Sequence, residues 1–231
     1  MKLYISIGGG KIINEFVLAN NLGWCLSPSS PMDPKCQPYI IDNGAFRSAK
    51  NNEPFNLTAF KVLVSKYRNP DFVILPDIPQ IVPTFDQKAK RKLALQSLGR
   101  SLKYLDELPH PYYLPVQDGI TQKDIIEYID QVDGIFVGGT LNIKEQWGWK
   151  VKTALDWANL AHLHKKQCHV GRINQCETLL YMDYCGVDSI DGSTASRHDD
   201  VTELRKYFEH LKYQTKLDSG IGITYEGGKI K

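Results

Sequence analysis

Six short polar clusters each close an apolar, β-rich run: Asp42-Asn43-Gly44, Asp77-Ile78-Pro79, Gln117-Asp118-Gly119, Gly138-Gly139-Thr140, Gly171-Arg172 and Asp191-Gly192-Ser193. Carboxylates accept hydrogen bonds, move protons and attack electrophilic carbon, and an amide both donates and accepts. Such a set suits a purine. Carboxylates would take the N1 and exocyclic amine protons of a guanine. The Gln117 amide, or a backbone N–H freed at Gly139, would reach O6. Glycine lets backbone approach a flat ring. Phe46, Tyr112 and Tyr113 are candidates to stack on it, although each also suits a core. Singly, each cluster has a plain reading: Asn43-Gly44 is a turn dipeptide, Asp77 a cap, and Gly138-Gly139 a tight turn. Turn chemistry does not require Asp, Asp, Gln and Asp at successive run ends, so their joint presence predicts one polar pocket.

The last cluster raises a question of its own. In Gly186-Val187-Asp188-Ser189-Ile190-Asp191, two aspartates lie three residues apart, and only small residues then separate Asp191 from Arg197. Asp188 is expected to be structural, because it stands nearer the interior of the run.

The elements that would position these residues alternate regularly. Strand-like runs fall at 3–7, 24–27, 39–42, 72–77, 112–117, 134–139, 168–171 and 188–191. Helical patterns lie at 12–22, 57–67, 84–108, 125–129, 149–164, 177–184 and 201–211. The runs look buried on both faces, as parallel strands are. They predict an α/β fold, a compact and irregular (β/α)8 TIM-like barrel, with a doubly wound open sheet as the alternative. No helix fits between Ser27 and Tyr39, where Pro28, Pro31, Pro34 and Pro38 crowd. In either architecture the site sits at the carboxyl ends of the strands. A single domain over 1–213 and a loose tail over 214–231 are expected.

Composition narrows the classes. The chain has 231 residues, 42% apolar, with 28 basic and 26 acidic residues. The near-balance of charge neither announces nor excludes a nucleic-acid partner. No apolar run is long enough to span a bilayer and no secretion signal opens the chain, so no membrane partner and a cytoplasmic location are expected. Five widely spaced cysteines contain no C-x-x-C pair, which suggests reduced thiols and no thiolate zinc site. Lys88, Lys90, Arg91 and Lys92 form a basic helical stretch that is either a solvated face or, with Arg197, a contact for a nucleic-acid backbone. Gly8-Gly9-Gly10-Lys11 follows a strand and opens a helix; it is a phosphate cradle or a tight turn. Trp147 and Trp149 would stack on a flipped base or cover the barrel mouth. His169, in mid-strand, reads as core.

In this order the clusters resemble the tRNA-guanine transglycosylase superfamily. The family's D-S-G-G-F-Q is similar to Asp42-Asn43-Gly44-Ala45-Phe46-Arg47, and its recognition aspartate to Asp77. Its V-Q-G-G is similar to Val116-Gln117-Asp118-Gly119. Its D-G-x-x-V-G-G is similar to the segment from Asp133 to Gly139, and its G-V-D-x-F-D-x-x-x-P-T-R to the segment from Gly186 to Arg197. The likeness runs from about residue 39 to 197. It implies a TIM-like barrel in which Asp191 is a nucleophile attacking C1′ of a guanosine through a covalent glycosyl ester. Asp42 would assist proton transfer, and Asp77, Gln117, Gly138 and Gly139, with Asn43 and Phe46, would hold the purine. No cofactor is implied.

The departures point to one branch. The tRNA enzymes carry a C-x-C-x-x-C…H zinc site after the nucleophile block, but no cysteine follows Cys185. No bound metal and no zinc-binding subdomain are therefore expected. Arg47 and Ala195 replace the motif glutamine and proline. Lys144 stands where the bacterial enzymes place an acid that can meet an aminomethyl cation, so a neutral 7-cyano base is favoured. The chain is most similar to the branch that inserts 7-deazaguanines into DNA, found in phages and bacteria. Guanine-containing DNA, a free 7-deazaguanine and a possible helper protein are the implied partners. A tRNA-modifying enzyme, a base hydrolase and a nucleic-acid-binding protein with a decayed pocket remain alternatives.

Overall fold

A computed structural model describes residues 1–8, 10–29, 33–34, 37–80, 86–108, 111–140, 142–143, 146–218, 225–226 and 229–230. Eight parallel strands close into a barrel, so the open-sheet alternative is set aside. In chain order the elements are β1 (Lys2–Ser6), α1 (Lys11–Ala19), β2 (Gly23–Leu26), β3 (Tyr39–Ile41), α2 (Ala45–Lys50), α3 (Leu57–Lys66) and β4 (Val73–Ile74). There follow α4 (Gln87–Leu102), β5 (Tyr112–Val116), α5 (Gln122–Ile125) and β6 (Gly134–Val137). A small hairpin, β7 (Asn142–Ile143) with β8 (Gln146–Trp147), leads into α6 (Trp149–Leu163) and β9 (Gln167–Val170). The described barrel ends with α7 (Cys176–Tyr184), β10 (Ser189–Gly192), α8 (Thr194–His198) and α9 (Thr202–Asp218). The barrel strands follow one another round the ring in chain order, and β10 returns to pair with β1.

Each predicted strand appears in the ring, although β4 keeps only two paired residues. The predicted 84–108 helix is shorter: Asp86 caps α4 by accepting from the amides of Lys88 (2.9 Å) and Ala89 (3.3 Å). The predicted 125–129 helix lies earlier, because Thr121 and Asp124 form a capping box that starts α5 at Gln122. The expected boundary at 213–214 falls inside α9.

The two-residue strand period sorts side chains into two shells. Tyr4, Cys25, Ile40, Phe72, Ile74, Tyr113 and Phe136 pack together in the lumen. Leu3, Ile5, Trp24, Leu26, Ile41, Val73, Leu114, Ile135 and Ile190, on the alternate positions, join the larger core beneath the helices. Phe72 and Tyr113 stack in the lumen with ring centroids 3.7 Å apart. Glycine answers the bulk of those rings: a Cβ at Gly23 would stand 2.3 Å from the Tyr4 ring, and one at Gly134 would stand 2.6 Å from that of Tyr113. Aromatic filling closes the middle of the lumen and separates a cleft at the carboxyl end of the strands from a second one at the amino end, lined by Met1, Lys2, Tyr4, Asp71 and Asp188.

Candidate functional site

The same period decides between the two aspartates. On β10, Ser189 and Asp191 share the lumen-facing phase, while Ile190 faces the outer core. Asp188 is out of phase with Asp191 and turns to the helical layer, where its Oδ2 meets His162 Nε2 at 2.9 Å and accepts from the Cys168 amide at 2.7 Å. Asp191 lies at the carboxyl end and is 4% exposed. Its Oδ1 accepts from the Arg172 amide at 3.1 Å, and its Oδ2 lies 3.1 Å from His169 Nε2. His169 is fully buried, holds Ser189 Oγ at 2.8 Å through Nδ1, and lies against Phe136. It is core, as its mid-strand position suggests, and it also orients Asp191.

Asp42 follows β3 in the lumen phase. Gly44 adopts φ +77° and turns the chain into α2, so that the Gly44 amide donates to Asp42 Oδ1 and the Ala45 amide to Asn43 Oδ1. Burial and the neighbouring Asp191 carboxylate push the Asp42 carboxyl up to about 7. The Gly44 hydrogen bond and the Arg172 charge pull the other way and only partly offset this.

Asp77 is held from both sides. Asn43 Nδ2 donates to its Oδ1 at 3.0 Å, and Gln117 Nε2 donates to its Oδ2 at 2.5 Å. Burial raises this carboxyl to about 6, against the pull of both amides and of Arg100. Gln117 Oε1 in turn accepts from the Gly139 amide at 2.7 Å. Gly138 is required by this network, since a Cβ there would stand 2.4 Å from Gln117 Nε2.

Asp42, Asn43, Phe46, Asp77, Gln117, Gly138 and Gly139 thus surround one cleft of about 450 Å³, together with Pro79, Gln80, Phe136, Lys150 and Arg172. A wider groove of about 830 Å³ shares Asp42, Phe46 and Arg172 with it. The groove carries Asp191, Arg47 and Arg197 along its walls.

Several expected roles change. Gly139 offers no spare N–H, because its amide is bound to Gln117, and one N–H of the Gln117 amide is engaged by Asp77. Both Asn43 amide protons are also engaged, one by Asp77 and one by the Leu75 carbonyl at 2.7 Å. Asn43 therefore positions Asp77. Tyr113 is deep in the lumen, while Phe46 lies under the Arg172 guanidinium at 3.6 Å. Asp199 occupies the start of α1, accepting from the Ile12 amide at 3.3 Å and the Ile13 amide at 2.8 Å, so these two amides are not free to hold a phosphate; Gly9 lies outside the described residues. Of the basic stretch, Arg91 is tied to Asp124 and to the Gly119 carbonyl, and Lys90 is turned toward Asp118. Lys88 and Lys92 remain exposed. Arg197 is exposed and donates to Ser193 Oγ at 2.6 Å. Trp149 packs near Trp157 and beside Gly139. Lys144 and the Trp147 side chain lie outside the described residues.

Three residues of the cleft, Gln80, Phe136 and Lys150, went unrecognised in the sequence. Phe136 holds the lumen phase of β6. Lys150 is 1% exposed and lies on the apolar stripe of α6 with Ala154, Trp157, Ala158 and Ala161. That phase was the available signal: a lysine on the buried face of a helix.

Among the described residues, no group of three His, Cys, Asp or Glu side chains could hold a metal, and no helix is long and apolar enough to cross a membrane. No protein-family model matches the chain, and no curated protein matches it.

Proposed function

We propose that the protein is a base-exchange transglycosylase that replaces guanine in DNA with a neutral 7-deazaguanine. The observation that carries this reading is the pairing of two lumen-facing carboxylates, Asp42 and Asp191, on one groove that shares Asp42 with a cleft whose wall holds Asp77 between two amides. Asp191 attacks C1′ of the target nucleotide; the C1′–O bond forms as the C1′–N9 bond breaks. Asp42, which holds a proton up to about pH 7, protonates the departing guanine. The incoming base loses its N9 proton to the Asp42 carboxylate and displaces Asp191, restoring the enzyme. Asp77 accepts the N1 and amine protons with the lone pairs that Asn43 and Gln117 leave open.

Arg47, Arg172 and Arg197 on the groove beside Asp191 suit the phosphates flanking a flipped nucleotide. DNA is preferred over tRNA because the 40 residues of the sequence after Asp191 hold none of the cysteines from which the tRNA enzymes build their zinc site. The test offers purified protein guanine-containing DNA and a tRNA transcript, each with labelled guanine, 7-cyano-7-deazaguanine and 7-aminomethyl-7-deazaguanine. Incorporation into DNA is expected. Incorporation into tRNA alone would reassign the polymer, and guanine release without replacement would make the protein a hydrolase.

A further inference from the structure

Lys150 has no role in the reaction as written, yet it is among the most deeply buried side chains of the molecule. It is the second residue of α6, and the first turn lies against Thr140: the Lys150 amide donates to the Thr140 carbonyl at 3.2 Å. Its Nζ donates to the Gly171 carbonyl at 2.6 Å, at the end of β9. A carbonyl takes one of three N–H bonds. Among the described residues no carboxylate stands within salt-bridge distance of Nζ, although Asp191 and Asp118 act on it from farther away. A buried ammonium without a carboxylate partner is costly, and a methionine or leucine would fill the same stripe of α6 at no such cost. Burial, with the Arg172 charge beside it, lowers this amine to about 7. Groups held at such a cost beside a cleft are characteristic of ligand sites.

The cleft itself shows what is missing. Its acceptor wall is supplied by Asp42 and Asp77. Its donors are mostly engaged: the Gly138 amide by the Val116 carbonyl, the Gly139 amide by Gln117, and Asn43 by Leu75 and Asp77. Round the ring, β4 with Asp77 and β10 with Asp191 stand on opposite sides, and β5, β6 and β9 form the flank between them. A guanine reaching from Asp191 at its sugar to Asp77 at its N1 edge has O6 and the 7-position along one flank. Lys150, beside Gly171 and Gly139, is a lining cation on the β6–β9 flank; Arg172, the other lining cation, lies over Phe46.

Resting on the transglycosylase reading, we propose that Lys150 is the specificity-determining donor of the cleft. Its ammonium group receives O6 and an uncharged acceptor at the 7-position, and it repels a base that carries a cation there. The substrate class is thus a neutral, acceptor-bearing deazaguanine.

Calorimetric titration of the purified protein with guanine, 7-cyano-7-deazaguanine and 7-aminomethyl-7-deazaguanine tests this, on wild type, Lys150→Met and Lys150→Gln, with melting curves in parallel. Wild type is expected to prefer the cyano base over the aminomethyl base by at least about tenfold. Both variants are expected to lose about tenfold or more for guanine and the cyano base, and the gap between the two deazaguanines should narrow. A purely structural lysine would change melting and leave that ratio alone. If wild type binds purines and the folded variants keep both affinity and ratio, the Lys150 assignment falls and the cleft reading stands. Wild-type preference for the aminomethyl base, or failure of both variants to fold, also overturns the assignment. If wild type binds none of the three bases, both readings fall.

Discussion

Both ends of the barrel carry aspartates, and they are treated in opposite ways. At the amino-terminal end Asp71 accepts from the Tyr4 hydroxyl and pairs with Lys2 at 3.4 Å, while Asp188 holds His162 and the Cys168 amide. Their side chains remain 31% and 32% exposed, so water shares the load. At the carboxyl end the Asp191 side chain is 6% exposed, and Asp42 is buried beside Asp191 and, less closely felt, Asp77. The lower carboxylates tie strands to helices and to the lumen aromatics. The upper ones are desolvated and brought near like charge, a costly arrangement of the kind that clusters at functional sites. Asp188, just before β10, and Asp191 within it make the contrast at closest range: three positions and one change of phase separate a strut from a candidate nucleophile.

The sharpest way to break this comparison is to neutralise each member of that pair. Asp191→Asn should reduce base exchange by at least about a thousandfold, because no neighbouring group offers the same covalent route. Asp188→Asn should keep exchange within about tenfold while lowering stability by about 1–3 kcal/mol through the weakened His162 and Cys168 contacts. Single-turnover exchange and urea melts on both variants provide the readout. A dead Asp188→Asn beside an active Asp191→Asn would mean that the two ends have been exchanged.

That outcome also measures how much was legible beforehand. The eight runs with their polar ends were readable because a buried parallel strand is a short apolar block, and the end of the block is where side chains leave the core. Asp42, Asp77 and Gln117 could therefore be placed at one rim without coordinates. What each would touch was not readable. Gln117 reads as a free donor until Asp77 and Gly139 are seen to engage it from either side. Lys90 and Arg91 read with Lys88 and Lys92 as one basic face, but the chain brings Asp118 and Asp124 from beyond β5 to meet the first two. Such pairings join residues tens of positions apart and leave no periodic trace. Lys150 did leave one, as a charged residue in an apolar stripe.

A second test uses pH. The Asp42 carboxyl is raised from an ordinary 3.8 to about 7. The folded protein therefore binds more protons at this group than the unfolded chain between about pH 4 and 7, so its contribution to stability falls as pH rises through that window. Asn at this position cannot ionise and can still accept from the Gly44 amide. The stability difference, Asp42→Asn minus wild type, should be smallest near pH 4 and grow by at most about 4 kcal/mol toward pH 8, less whatever residual solvent in the cleft screens. Urea melts across that range give the curve. A flat difference would remove the desolvated carboxylate pair from the upper end, and with it half of the comparison.

The smallest expected effect lies on the rim, where the proposed polymer would meet the upper end. Lys88 and Lys92 are exposed in the first turns of α4, while Lys90 and Arg91 are turned into the fold. The bidentate Arg91 pairing holds the Asp124 carboxyl well below its usual range, and Asp124 also caps α5. Arg91→Ala should therefore loosen the α4–α5 contact and lower the melting temperature. Lys88→Ala with Lys92→Ala should leave melting unchanged and act only on binding. If both lysines contact phosphates, the slope of log affinity against log salt for a DNA duplex should shallow by about 1.8, since each contact contributes about 0.9. The loss at low salt should be of similar size on any sequence, because phosphate contacts position the polymer and do not read it. An unchanged slope would return Lys88 and Lys92 to the solvated face and leave polymer binding at this end to Arg47, Arg172 and Arg197 in the groove beside Asp191.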